Sequence, residues 1–272
     1  MNASDNSRSK FTIAIADANG AVTNDLSALI VQTGLPLVPP NTAAKDFCNF
    51  ILFYQDGRLS LQSTDEGAAG AVCVDFDNES LQYRQRRPVK PEALLKAAGV
   101  KHGQSSHVLD ATAGFGLDAF LFASAGASVT LIERSVILHA MLSDGLERGA
   151  VSADEKVRAA VTRMQLLHGD SAVMLAQHQS TPVDIVYLDP MFPERKKSAK
   201  VKKNMALLQQ LLHSEAQAEH LLANAIGVAS KRVVVKRPRH APFLEARKPS
   251  FSQEGKSSRF DVYLCAAKSQ LA

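Results

Sequence analysis

Little in this chain belongs to a secreted, membrane-spanning or metal-binding protein. Its three cysteines, Cys48, Cys73 and Cys265, are odd in number and form no C-x-x-C pair. That argues against a disulfide framework or a zinc cluster and suits a reducing cytoplasm. No apolar run approaches the roughly 18 residues of a membrane span. Residues 1–10 are polar, with no apolar stretch of a signal peptide, and read as a loose tail. The eight histidines fall into neither H-x-x-x-H nor H-E-x-x-H, so no metal site is expected. No serine stands in G-x-S-x-G, which removes the usual α/β-hydrolase reading.

What the chain does have is a segregated set of cations. It holds 272 residues, 46% hydrophobic and 21% charged, which fits one large α/β domain or a medium domain with a small appendage. The net charge is only +4, yet residues 84–90, 195–203 and 231–239 hold 15 of the 31 basic residues and no acidic one. The rest of the chain carries 16 basic against 27 acidic residues. An acidic body with basic patches suggests a polyanionic partner.

From residue 107 to 237, short apolar runs alternate with helical stretches at the spacing of βα units. The pattern predicts strands over 107–111, 128–133, 165–168, 184–189 and 232–236. Helices are predicted over 117–125, 136–148 and 171–177, with a long one over about 202–225. Right-handed crossovers then give a mostly parallel, doubly wound, Rossmann-like sheet. Beyond Pro242, two short strands flanking Gly255, over 251–253 and 260–265, read as an antiparallel hairpin. Upstream, strands are expected over 11–16, 50–54, 59–62 and 72–75, with a tight turn at Asp56 and Gly57. The expected division is a tail at 1–10, a small α+β domain at 11–80, a basic linker at 81–91, and the main α/β domain at 92–272.

The stretch from Val108 to Ala119 reads as an apolar strand, a glycine turn and a helix start. Gly114 and Gly116 let the backbone come close to a ligand in front of the helix N-terminus. Glu133 ends the next strand, where a carboxylate can accept both ribose hydroxyls of an adenosine. This arrangement serves a dinucleotide or S-adenosylmethionine equally well, because residues 114–119 also satisfy G-x-G-x-x-A. Asp110, at the strand end before the turn, leans toward the methyl donor. It would repel a pyrophosphate and attract an ammonium and a sulfonium.

A further strand delivers Asp189-Pro190-Met191-Phe192 at its carboxyl end, where open α/β sheets bind ligands. Methylation of an exocyclic amine needs two acceptors and a flat apolar surface at one point, because the amine lone pair is delocalised into the ring. The Asp189 carboxylate and the Pro190 carbonyl would take the two hydrogens and turn the lone pair out of the plane. Phe192 would stack on the base, worth about 1–3 kcal/mol. These three are the expected catalytic residues.

The blocks from Leu109 to Gly116, Leu131 to Arg134, Tyr187 to Pro193 and Val233 to Pro238 together resemble the bacterial ribosomal RNA small subunit methyltransferase J family. The resemblance spans roughly residues 80–265 and is weaker over the amino-terminal region. It implies a class I methyltransferase that uses S-adenosylmethionine to methylate a guanine N2 in 16S rRNA, on RNA or the small ribosomal subunit, with neither membrane nor metal. It also implies a donor pocket involving Leu117, Asp118, Glu133, Arg134, Asp170, Ser171 and Asp189, beside Asp110, Gly114 and Gly116. Leu117 stands where that family usually has an arginine, and Asp170 where it often has a small hydroxyl residue. The basic runs supply the expected RNA contacts: Arg195, Lys196, Lys197, Lys200, Lys202, Lys236, Arg237 and Arg239.

Two rivals share parts of the pattern. A nonenzymatic RNA-binding or assembly protein would keep the basic runs but has no need of Asp189 beside an aromatic. An NAD-dependent oxidoreductase would keep the glycine loop but has no need of three basic segments. Within the enzyme class, another nucleic-acid amine is the alternative substrate.

Overall fold

The computed structural model describes residues 11–16, 24–38, 44–65, 70–78, 93–177, 183–190, 220–255 and 258–265. The described residues divide into two compact units, one ending at Val74 and the other beginning at Asp75.

The first unit is built on a five-stranded sheet ordered β2-β1-β3-β4-β5. Its β1 (Phe11–Ala16) runs parallel to both β2 (Leu37–Val38) and β3 (Cys48–Gln55). Strands β4 (Arg58–Ser63) and β5 (Val72–Cys73) then follow antiparallel. Asp56 and Gly57 make the turn between β3 and β4, with φ of 50° and 70°, the left-handed pair that matches strand twist in a two-residue hairpin. The sequence pattern put the last strand over 72–75, two residues longer than observed. The parallel β1–β2 pair requires a crossover, supplied by α1 (Asn24–Thr33), whose Leu26 and Leu29 are buried. A short α2 (Ala44–Phe47) leads into β3.

The second unit opens with α3 (Ala93–Ala98) and carries a seven-stranded sheet ordered β11-β12-β10-β9-β6-β7-β8. Five strands are parallel: β6 (His107–Asp110), β7 (Ser128–Glu133), β8 (Met164–His168), β9 (Val183–Leu188) and β10 (Ala229–Pro238). The antiparallel β12 (Ser258–Leu264) and β11 (Phe251–Glu254) form the closing hairpin at one edge. Between them the helices are α4 (Leu117–Ser124), α5 (Val136–Ala150), α6 (Glu155–Val161), α7 (Ser171–Gln177) and α8 (Leu221–Val228). This is the expected Rossmann-like α/β fold. The long helix expected over 202–225 falls mostly outside the described residues. Its described end is α8, and the last strand starts at Ala229, three residues before the expected 232.

Burial follows from the parallel arrangement, since helices on both faces leave central strands apolar throughout. Five of the six residues of β9 are buried, and Val233, Val234 and Val235 of β10 have no exposed surface. On one face Val186, Leu188, Val233 and Val235 pack with Leu175 of α7 and with Leu222 and Ala225 of α8. The winding reverses between the adjacent strands β6 and β9, which opens a crevice at their carboxyl ends.

Two glycines set the approach to that crevice. Gly116 precedes α4 in the left-handed region, φ 70°, and an added Cβ there would stand 2.8 Å from Leu142 Cδ1 of α5. Both backbone angle and space therefore demand glycine. Gly114, φ 54°, has the opposite surroundings: an added Cβ would meet only Thr112 O, at 3.9 Å.

Candidate active site

The ends of four parallel strands carry most of the residues singled out in the sequence. Asp110 ends β6, Glu133 ends β7, Asp170 and Ser171 follow β8, and Asp189 follows β9. All therefore emerge on one edge of the sheet, with Gly114, Gly116, Leu117 and Asp118 in the turn and first helical turn after β6.

Hydrogen bonds knit these loops together. Glu133 accepts from the Gly114 amide through Oε2 at 2.9 Å and from the Ser135 amide through Oε1 at 2.8 Å. Asp170 Oδ1 accepts from the Ala172 amide at 2.8 Å at the start of α7, and the Ser171 hydroxyl donates to the Ala111 carbonyl. His168 Nε2 lies 3.1 Å from the carbonyl of Arg134, which places Arg134 between the ends of β7 and β8. Leu117 stays 40% exposed, an apolar side chain open to the site edge.

Between β6, β9 and β10 lies a group of charges. Lys236 Nζ stands 2.7 Å from Asp118 Oδ2 and 2.9 Å from Asp189 Oδ2. The Tyr187 hydroxyl donates to the same Asp118 oxygen at 2.7 Å. The Asp189 amide donates to Thr112 Oγ1 at 2.6 Å, and the Thr112 amide in turn donates to Asp110 Oδ1 at 3.0 Å. Asp110 is 1% exposed, and burial pushes its carboxyl up to about 8. The Thr112 amide and Lys236 oppose that rise, while Asp118 and Asp189 add to it. The Asp189 side chain is 40% exposed, but the protein atoms crowding it raise its pKa against the pull of Lys236. For Lys236, burial works against the ammonium, and Asp189 and Asp118 more than reverse it, so its pKa is raised.

Asp118 and Asp189 against one ammonium, with the buried carboxyl of Asp110 beside them, suit a ligand that brings positive charge and would favour ionisation of Asp110. A pyrophosphate would be repelled by the same set. The open space beside Gly114, next to the Glu133 carboxylate at the end of β7, suits the nucleoside end of S-adenosylmethionine, whose methionine end carries an ammonium and a sulfonium. The residues present therefore fit the methyl donor.

Sequence reasoning missed two site residues, Thr112 and Tyr187, and gave Lys236 a different role. Thr112 joins two loops through its hydroxyl, and Tyr187 and Lys236 complete the charge group. Tyr187 left one clue, since a tyrosine within an otherwise aliphatic buried strand needs a partner for its hydroxyl. Lys236 and Arg237, both expected RNA contacts, have protein partners in the structure. Strand alternation sends them to opposite faces, where each meets carboxylates of its own. Lys236 is bound by Asp118 and Asp189. Arg237 is 3% exposed, donates to the Pro242 carbonyl and lies in the field of buried Asp261. Arg239 is exposed and paired with Glu254. Pro190 is buried beside Asp189. Phe192, Arg195, Lys196, Lys197, Lys200 and Lys202 lie outside the described residues.

The strand order, the reversal at β6 and β9, and the acidic glycine-loop edge define a class I methyltransferase dependent on S-adenosylmethionine. Comparison with known proteins agrees. The model of a family described as SAM-dependent methyltransferase matches residues 40–265, reaching further toward the amino terminus than the motifs alone. A SAM-dependent methyltransferase from Neisseria gonorrhoeae superposes with a TM-score of 0.67 at 35% identity, covering 93% of this chain and 96% of its own. The ribosomal RNA small subunit methyltransferase J of Pseudoalteromonas atlantica is 48% identical over 219 residues, 79% of this chain and 84% of that protein. The protein of the same name from Alteromonas mediterranea is 43% identical over 244 residues, 89% and 92% of the two chains. This chain belongs to the ribosomal RNA small subunit methyltransferase J family. It is an enzyme, and its methyl donor is S-adenosylmethionine.

Proposed function

We propose that the protein methylates the exocyclic N2 amine of a guanosine in 16S rRNA, in the cytoplasm, with Asp189 and Pro190 as acceptors for the amine hydrogens and Phe192 as the stacking surface. The observation that carries this reading is the state of Asp189. Its backbone is fixed by Thr112 and its Oδ2 by Lys236, and Oδ1 has no partner among the described residues. An oxygen without a described partner, on a side chain 40% exposed at the end of β9, is placed to accept a hydrogen from an incoming amine.

The donor, when bound, supplies an electrophilic methyl group on a cationic sulfur. Glu133 would hold the ribose, Asp118 would balance the positive charge of the methionine end, and that charge would draw Asp110 beside it toward its ionised form. Asp170, Ser171, Leu117 and Arg134 would border the adenosine. An amine that has taken the methyl group, with the donor leaving as its neutral thioether, would carry one proton too many, and Asp189 is placed to take it. The surplus amine proton then leaves through Asp189 Oδ1 to solvent. Positioning carries most of the acceleration, and its ceiling is about 7–11 kcal/mol. Arg239 and the run from Arg195 to Lys202 would contact the RNA.

Two measurements test this. Mass spectrometry of 16S rRNA from a deletion strain should show one guanosine that loses its methyl group. It should regain the group with the wild-type gene and not with Asp189→Ala. The purified Asp189→Ala protein should keep adenosylhomocysteine affinity within a few-fold. Near-normal turnover in that variant, or a full set of methylated guanosines in the deletion strain, would defeat the proposal.

A further inference from the structure

The ammonium of Lys236 is held from three elements of the fold. Asp118 comes from the first turn of α4, Asp189 from the end of β9, and Lys236 itself from β10. Tyr187, 1% exposed, closes the group by donating to the Asp118 oxygen that also binds Lys236. Its ring meets Phe122 edge-on with centroids 5.5 Å apart, which keeps the phenol in place. The lysine is therefore braced by Asp118 as well as paired with Asp189. Asp189 is in turn fixed twice, at its amide by Thr112 and at Oδ2 by Lys236. Fixing a carboxylate at one oxygen sets the direction of the other.

We propose that Lys236 is a positioning residue for methyl transfer: braced by Asp118 and Tyr187, it pins Asp189 Oδ2 so that Oδ1 faces the target amine. The inference rests on the reading of Asp189 as the amine acceptor. It also gives Lys236 a second effect. Among the described residues, the titratable and charged groups facing Asp189 are Lys236 from β10, Asp118 from α4, Asp110 from β6 and Tyr187 from β9. Lys236 is the cation among them, and an acceptor must stay ionised. Without that ammonium, crowding and the neighbouring carboxylates favour a protonated Asp189 that offers a hydrogen instead of taking one.

The test uses the full chain with undermethylated small-subunit RNA from the deletion strain. Lys236→Met keeps the length of the side chain and removes its charge. It should lower kcat by roughly 10- to 100-fold, the range for a displaced reacting group. Adenosylhomocysteine should bind within a few-fold of wild type. The acid limb of the pH–kcat profile should move to higher pH, and Lys236→Arg should restore the wild-type limb with part of the rate. Tyr187→Phe, which loosens the brace and leaves the charge, should give a smaller loss of kcat with the acid limb in place. Combining Lys236→Met with Asp189→Ala should cost no more than Asp189→Ala alone. Unchanged kcat in Lys236→Met, or a loss with the acid limb unmoved, overturns the inference. So does weakened adenosylhomocysteine binding at normal kcat, which would make Lys236 a donor contact. If Asp189→Ala itself turns over normally, the earlier reading of Asp189 fails. If Asp189→Ala is inactive and Lys236→Met behaves as wild type, only the role of Lys236 fails.

Discussion

The Gly114 amide donates to Glu133 Oε2 at 2.9 Å, so the carboxylate at the end of β7 holds the glycine loop that follows β6. Its other oxygen holds the Ser135 amide at the start of α5. Glu133, the proposed ribose acceptor, thus also clasps the glycine loop.

Glu133→Ala should accordingly weaken donor binding by roughly 10- to 100-fold, the equivalent of about 1.5–3 kcal/mol for charged hydrogen bonds. Glu133→Gln, which keeps one acceptor oxygen, should fall between the two. RNA affinity should barely change in either. Titration calorimetry with adenosylhomocysteine reads the effect, and full donor affinity in Glu133→Ala would show that the ribose sits elsewhere.

Asp110 gives the protein a pH dependence of definite sign. Its carboxyl titrates at about 8 in the folded chain, against an ordinary value of 3.8. The folded state therefore keeps a proton that the unfolded chain gives up. The stability this contributes is full below pH 4 and is lost as pH rises through about 8. Asp110→Asn retains an acceptor for the Thr112 amide and does not titrate. The difference in Tm between wild type and Asp110→Asn should therefore move against the wild type from about pH 5 to about pH 8.5. Each 1 kcal/mol of the effect should appear as roughly 2–4 °C. Parallel Tm curves for the two proteins would mean that Asp110 does not hold its proton.

The parts of this architecture legible in the sequence are those written in local chemistry. Parallel strands buried on both faces appear as apolar runs, which is why β6, β7, β9 and β10 could be read directly. Gly114, Gly116, Asp110 and Glu133 could be read because a glycine turn and strand-end carboxylates have fixed offsets. The short α6 was not read, since its seven residues bury only Val157, Ala160 and Val161. Lys236 and Arg237 looked like surface charge because the carboxylates that answer them, Asp118 and Asp261, stand 118 and 24 positions away along the chain. Such pairing is a product of topology, with β10 lying beside β9 on one side and β12 on the other.

With Lys236 ion-paired to Asp118 and Asp189 and Arg237 buried, we propose Arg239 and the run from Arg195 to Lys202 as the main RNA-binding groups. A base reaching the donor must leave its stack at a cost of a few kcal/mol. Phosphates held close to Asp189 can offset that cost, and the run begins six residues after it. Replacing Lys196, Lys197, Lys200 and Lys202 together by glutamine should weaken RNA binding and leave adenosylhomocysteine affinity unchanged. The slope of log K against log salt should flatten by about 0.7–0.9 for each phosphate no longer neutralised. Lys236→Met, by contrast, should leave that slope as it is, because its charge is already taken up by Asp118 and Asp189. A slope that flattens in Lys236→Met and stays fixed in the fourfold variant would place the RNA against β10 instead.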